Sequence, residues 1–131
     1  MATTRQPTHA SPKSRRPRRE EIYLTALDPA LGHEIQKTRL ALIIQNDVSN
    51  RLSQITIVAP VTSTVRFLLN PVRVLLAADW TTGLSVTSVA VLNQIRAVDR
   101  IRLIKRLGAV DDETMERVDE ALQISLGLRR L

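Results

Sequence analysis

Past its first twenty residues the chain sets out apolar positions in short runs separated by turn-forming residues. Glu21–Leu27 (EIYLTAL) turns Ile22, Leu24 and Leu27 inward and reads as a strand, which Asp28-Pro29 breaks. A polar loop, Ala30–Thr38, follows. Leu40–Gln45 (LALIIQ) and Ile55–Ala59 (ITIVA) are short, apolar and β-branched, the pattern of buried strands. Asn46–Ser53 between them reads as a turn-rich connector. Val72–Leu76, Ser88–Leu92 and Ile95–Arg102 read as three more strands, with a loop around Trp80–Gly83. The period then changes. Asp112–Leu126 places Met115, Val118, Leu122 and Leu126 along one helical stripe. Asp111, Asp112 and Glu113 suit the start of that helix, Gly127 its cap, and Arg129 and Arg130 its end. Five or six strands followed by one helix predict a mostly β fold, a small bent antiparallel sheet or barrel covered by the helix.

Met1–Arg18 breaks this pattern. It carries Pro7, Pro12 and Pro17 and no apolar period, and reads as a disordered leader ahead of one folded domain, residues 19–131. Residues 1–20 hold six Lys/Arg against Glu20 alone, a charge of +5 out of the whole chain's +6. Residues 21–110 carry +4 and residues 111–131 carry −3, so the chain is a mildly basic body with an acidic end.

Composition removes several kinds of chemistry. With no cysteine there is no disulfide, thiolate site or cysteine nucleophile, and two histidines cannot build a histidine-rich zinc centre. Aromatic residues make up 2% of the chain, too few for a base-stacking platform. The longest uncharged runs, Leu52–Val65 and Trp80–Ile95, are 14 and 16 residues and rich in hydroxyls, short of a membrane span. A cytoplasmic protein with no membrane contact is expected. No glycine-rich phosphate loop, nucleophile elbow or zinc-helix motif is present.

The specific signal is an ordered set of segments: Arg19-Glu20-Glu21-Ile22-Tyr23 with Leu27-Asp28-Pro29; Gly32-His33-Glu34 with Arg39; Ile55–Ser63 (ITIVAPVTS); and Gln94-Ile95-Arg96-Ala97-Val98-Asp99 with Arg102-Leu103. From about Arg19 to Leu128 this set resembles the MazF/PemK family of mRNA interferases, the toxins of toxin–antitoxin pairs. The resemblance implies a small SH3-like barrel with a C-terminal helix. It also implies cleavage of single-stranded RNA without metal or cofactor, by attack of a 2′-hydroxyl on the neighbouring phosphate. Such chemistry needs a base, a cation for the phosphorane and an acid for the leaving oxygen.

By the same resemblance Glu34 is the general base, Arg39 the guanidinium that grips the phosphate and Thr62 the hydroxyl that bonds it. His33, Ser63, Gln94 and Arg96 are the implied RNA contacts. The implied partners are single-stranded RNA, a second copy of the chain as a homodimer, and an acidic antitoxin. Four positions depart from the family pattern: Glu20 stands where the family has glycine, Leu40 follows the arginine where the family has proline, Trp80 occupies a loop that is usually small, and Val91-Leu92-Asn93 lacks an Arg-x-Asp. If residue 20 takes a positive φ, glutamate there is strained. These departures keep open a weakened or inactive toxin fold that still binds antitoxin. A toxin resembling the gyrase inhibitors is the third class.

Overall fold

The computed structural model describes residues 16–27, 38–64 and 70–130. Seven strands form one antiparallel sheet: β1 (Glu21–Ala26), β2 (Thr38–Ile43), β3 (Ile55–Thr62), β4 (Arg73–Leu76), β5 (Ser88–Val91), β6 (Arg96–Asp99) and β7 (Leu103–Ala109). A short helix α1 (Asp47–Leu52) joins β2 to β3, and α2 (Asp112–Ser125) ends the fold. The strand order is β4-β5-β3-β2-β1-β7, with β6 also paired to β3. Along one edge β3 pairs β2. Along the other it pairs β6 through Ile55–Val58 and then β5 through Val61 and Thr62. Pro60 falls in the gap between those two partners, where its missing N–H breaks no ladder bond.

Alternation along the strands fills both faces of the sheet. Ile22, Leu42, Ala59, Val61, Val74, Leu76 and Ala90 pack beneath Met115, Val118 and Ala121 of α2. Tyr23, Leu27, Ala41, Ile43, Val58, Val98 and Leu103 form a second cluster on the other face. β1 and β2 are thus buried on both sides, which is why their sequences read as nearly continuous apolar runs.

The α2 boundaries agree with the expected helix to within a residue. Asp111 caps it, and hydrogen bonds from the Thr114 hydroxyl and from the Thr114 N–H, the latter at 2.9 Å, hold its carboxyl below the usual range. Gly127 takes φ 75° just past the end. The stripe differs in its last turn: Ala121 is buried, Leu122 only half-buried and Leu126 exposed, because Ser125 rather than Leu126 meets the sheet, donating to the Leu92 carbonyl at 3.0 Å.

Two elements were not legible. The expected connector 46–53 contains helix α1, capped by Asn46, whose side chain accepts from Ser49 N–H at 2.8 Å. Six residues with several poor helix formers give no period; a buried polar network fixes the turn instead, Asn50 Oδ1 accepting from Thr56 Oγ1 (2.8 Å) and Gln45 Nε2 (2.9 Å). The expected single strand Ile95–Arg102 is β6 and a 3-10 turn, and β7 follows. β7 pairs only with β1 and carries Lys105, Arg106 and Gly108, so it lacks the apolar alternation of a half-buried strand.

The chain is described from Arg16, and Pro17 is already buried. Arg19 then ties three elements together. Its N–H donates to Asp47 Oδ1 (2.7 Å), its Nε to the Ile44 carbonyl (2.9 Å), and its Nη2 pairs with Asp119 of α2. Glu20 has φ 87°, so the condition under which glutamate is strained at this position is met. Its N–H donates to Ile43 O (3.1 Å) and its carbonyl accepts from Val110 N–H (3.0 Å), so the sheet holds it there. Burial, with Asp112 and Asp47 nearby, raises its carboxyl above the usual value.

The loop around Trp80 is built tightly. Asp79 Oδ1 accepts from the N–H groups of Thr81 and Thr82, and Gly83 has φ 73°. A Cβ on Gly83 would lie 2.3 Å from the Leu107 carbonyl oxygen, and one on Gly108 2.2 Å from that of Thr81.

Met115→Ala is expected to cost about 2–5 kcal/mol in urea unfolding, and the half-buried Leu122→Ala clearly less. Glu20→Gly relieves the positive φ and is expected to stabilise by about 1 kcal/mol. Glu20→Gln isolates the charge. A raised folded pKa means the ionised carboxylate opposes folding, fully so above the folded pKa and not at all below the unfolded one. Its melting temperature is therefore expected to exceed the parent's near neutral pH and to converge with it once carboxylates are protonated.

Candidate active site

Where β2 begins and β3 ends, the pairing Leu24↔Leu40↔Val61 brings three strands side by side beneath a cleft of about 240 Å³. Its lining is Thr38, Arg39 and Leu40 from β2; Val61, Thr62 and Ser63 from the end of β3; Leu24 from β1; and Leu84, Ser85, Val86 and Ser88 from the segment that leads into β5. Arg39 is the single charged side chain among these residues, and it is exposed at the cleft. An anion entering the cleft meets that guanidinium beside two hydroxyls. Thr62 is half-buried, and its Oγ1 accepts from the Thr64 N–H at 3.2 Å. A hydroxyl occupied in that way keeps its own proton for a second acceptor. Arg39, Thr62 and Ser63, far apart in sequence, thus come together.

The other expected residues fall elsewhere. His33 and Glu34 lie outside the described residues. Gln94 sits in the turn between β5 and β6, its N–H donating to Val91 O at 3.3 Å, and is not among the described residues lining the cleft. Arg96 is likewise off the cleft. Its Nη1 donates to the Leu27 carbonyl at 2.8 Å, and Arg102 Nη1 reaches the Ala26 carbonyl at 3.4 Å. Two guanidiniums therefore hold the end of β1, the point from which segment 28–37 departs. Among the described residues no cluster of His, Asp or Glu has a metal-binding arrangement, and no helix is long and apolar enough to cross a membrane.

The PemK-like, MazF-like toxin model of type II toxin–antitoxin systems matches residues 18–126. The chain belongs to that family. It is 41% identical over 111 residues to endoribonuclease EndoA of Bacillus subtilis (strain 168), a match covering 85% of this chain and 95% of that one. The fold is similar to MazF from Deinococcus radiodurans, with a TM-score of 0.75 at 24% identity over 87% of this chain and 99% of that one. It is also similar to an endoribonuclease from a mycobacterial species, at TM-score 0.71 and 23% identity, over 89% and 97% of the two chains.

In this PemK/MazF-type chain three of the four departures, Glu20, Leu40 and Trp80, have distinct places relative to the cleft. Glu20 bonds to Ile43, whereas Arg39 faces Thr25, so the strained residue sits about 13 Å along β2 from the cleft, at the far end of β1. Leu40 lines the cleft and packs half-buried against the core. Trp80 is 93% exposed and is not among the lining residues. The wall Leu84–Ser88 was missed by sequence reasoning. It has no charge, repeat or period, and only the pairing of β5 with β3 brings it beside Thr62.

Arg96→Ala leaves the Leu27 carbonyl without this donor and is expected to cost about 1–3 kcal/mol of stability in thermal unfolding. A residue serving only as an RNA contact would leave the melt unchanged.

Proposed function

We propose that this chain is a sequence-specific endoribonuclease toxin that cuts single-stranded RNA independently of the ribosome and of metal. The observation that carries this reading is Arg39 standing with Thr62 and Ser63 in a cleft whose other described lining residues are uncharged. The relative at 41% identity is named an endoribonuclease, which supports the reading.

In the proposed reaction the 2′-oxygen of one nucleotide attacks the adjacent phosphorus. The 2′-O–P bond forms, the P–O5′ bond breaks, and the products carry a 2′,3′-cyclic phosphate and a 5′-hydroxyl. Glu34 takes the 2′-hydroxyl proton, and a protonated group, for which His33 is the candidate, returns one to the departing 5′-oxygen. Negative charge grows on the non-bridging oxygens, where the planar fork of Arg39 meets two of them and a lysine would meet one. Thr62 donates its hydroxyl to the same phosphate, and Ser63 and Gln94 hold the flanking RNA. The strain at Glu20 lies away from these groups, which favours an active enzyme over an inactive toxin fold.

The toxin works in the cytoplasm as a homodimer held in check by an acidic antitoxin. One solved relative is described as an endoribonuclease in complex with its cognate antitoxin. The +4 charge of residues 21–110 draws RNA and an acidic segment alike, so the two compete for the cleft.

Purified protein incubated with a long single-stranded RNA in EDTA is expected to leave 2′,3′-cyclic phosphate ends. Arg39→Ala is expected to lose about 10²–10³ in rate with an unchanged melt, and Arg39→Lys to recover little. Thr62→Val, which keeps the shape and removes the hydroxyl, is expected to be impaired. Parent-like cleavage by Arg39→Ala would refute the mechanism.

A further inference from the structure

Arg39, Thr62 and Ser63 account for one part of the cleft; the segment Leu84–Ser88 forms another, and nothing above gives it a role. The segment is fixed at both ends. The Leu84 N–H donates to Thr82 Oγ1 (3.3 Å), and the buried Ser88 hydroxyl donates back to the Val86 carbonyl (2.9 Å). Thr82 is itself buried, its hydroxyl bonded to the Ala77 carbonyl at 2.8 Å. Between these anchors Val86 is 53% exposed, an apolar side chain on a pinned backbone in the same cleft as Arg39. Leu24 and Leu40, both half-buried, extend the apolar lining beside it.

A ligand suited to this cleft is anionic where it meets Arg39 and flat and apolar where it meets Val86. A nucleotide has that division. The volume of about 240 Å³ lies below the roughly 300–1,000 Å³ typical of sites for larger ligands, so it suits one base and not a stacked pair. We propose that Val86, with Leu84 and Ser85, forms the subsite for a single unstacked base next to the phosphate held by Arg39, and that Val86 sets which base size is accepted. This rests on the reading of the cleft as the site of RNA cleavage. Of the four residues by which this wall lines the cleft, Leu84, Ser85, Val86 and Ser88, Ser85 carries the one exposed hydroxyl, so selection here works by shape and contact, with few side-chain hydrogen bonds to the base edge.

The test pairs Val86→Ala with removal of the base. Oligonucleotides blocked by a 2′-deoxy group at the mapped scissile nucleotide are made abasic at one position at a time. Loss of two methyl groups from the contact is expected to weaken binding of the intact oligonucleotide about tenfold. Binding of the oligonucleotide abasic at one neighbouring position is expected to stay within about twofold of the parent's. In cleavage, KM is expected to rise with kcat little changed, and Val86→Ile to recover binding for the smaller bases. Equal weakening of every oligonucleotide overturns the subsite, as does unaltered binding. Loss of the dimer in Val86→Ala also overturns it, since the wall would then be a subunit contact. Each variant must melt near the parent. A parent that neither binds nor cuts RNA removes the cleavage reading and this subsite together, whereas normal cutting with any of the other adverse results removes the subsite alone.

Discussion

β3 has to satisfy three neighbours with two edges, and much of the molecule follows from how it does so. β2 pairs with Val58–Val61 along one side, and β6 and β5 share the other in succession. Proline at position 60 is tolerated because the handover leaves a gap there. The same handover lets the sheet fold around the cluster under α2, and it delivers Thr62 to β5 just where β2 begins. Arg39 and Thr62 face one cleft because β2 and β3 run antiparallel; no loop has to hold them together. Two of the site's groups therefore stand at the ends of strands whose adjoining residues, Ala41–Ile43 and Val58–Val61, are buried, which fixes the backbone that carries them.

The strands and α2 were readable because their burial is periodic. The double burial of β1 and β2, the stripe of Met115 and Val118, and the acidic start of α2 all leave marks in a linear sequence. Glu20 was readable in a different way: a family glycine at that position raised the question of a positive φ, and the backbone has one there. What escaped notice depends on partners distant in sequence. Helix α1 exists because Asn50 finds Thr56 and Gln45, and β7 because β1 has a free edge. Neither circumstance alters the local pattern of apolar residues.

The site divides along the same line. Arg39, Thr62 and Ser63 line one cleft, since they sit at or next to strand ends whose register the core dictates. Arg96 shares a short motif with Gln94, yet its guanidinium is turned to the Leu27 carbonyl, away from the cleft. A motif specifies spacing along the chain but not which way each side chain leaves the strand. The apolar wall of Leu84–Ser88 had no signal at all, because valine and serine are ordinary in any loop.

The opposed glycines at 83 and 108 have a consequence for the behaviour of the molecule in crowded solution. Their lack of side chains lets the Asp79–Gly83 turn lie directly on β7, where the Thr81 carbonyl accepts the outward N–H of Ala109 at 2.9 Å. β7 is a terminal strand of the sheet, and an open strand edge is a template for pairing with another chain. Here one end of that edge is capped by a turn too close-fitting to be moved aside, and the stretch beside it carries Lys105 and Arg106. Any side chain at either glycine would push the turn off and uncover the edge. Enlarging either residue should therefore appear first as self-association of a protein that is still folded, rather than as a lost reaction.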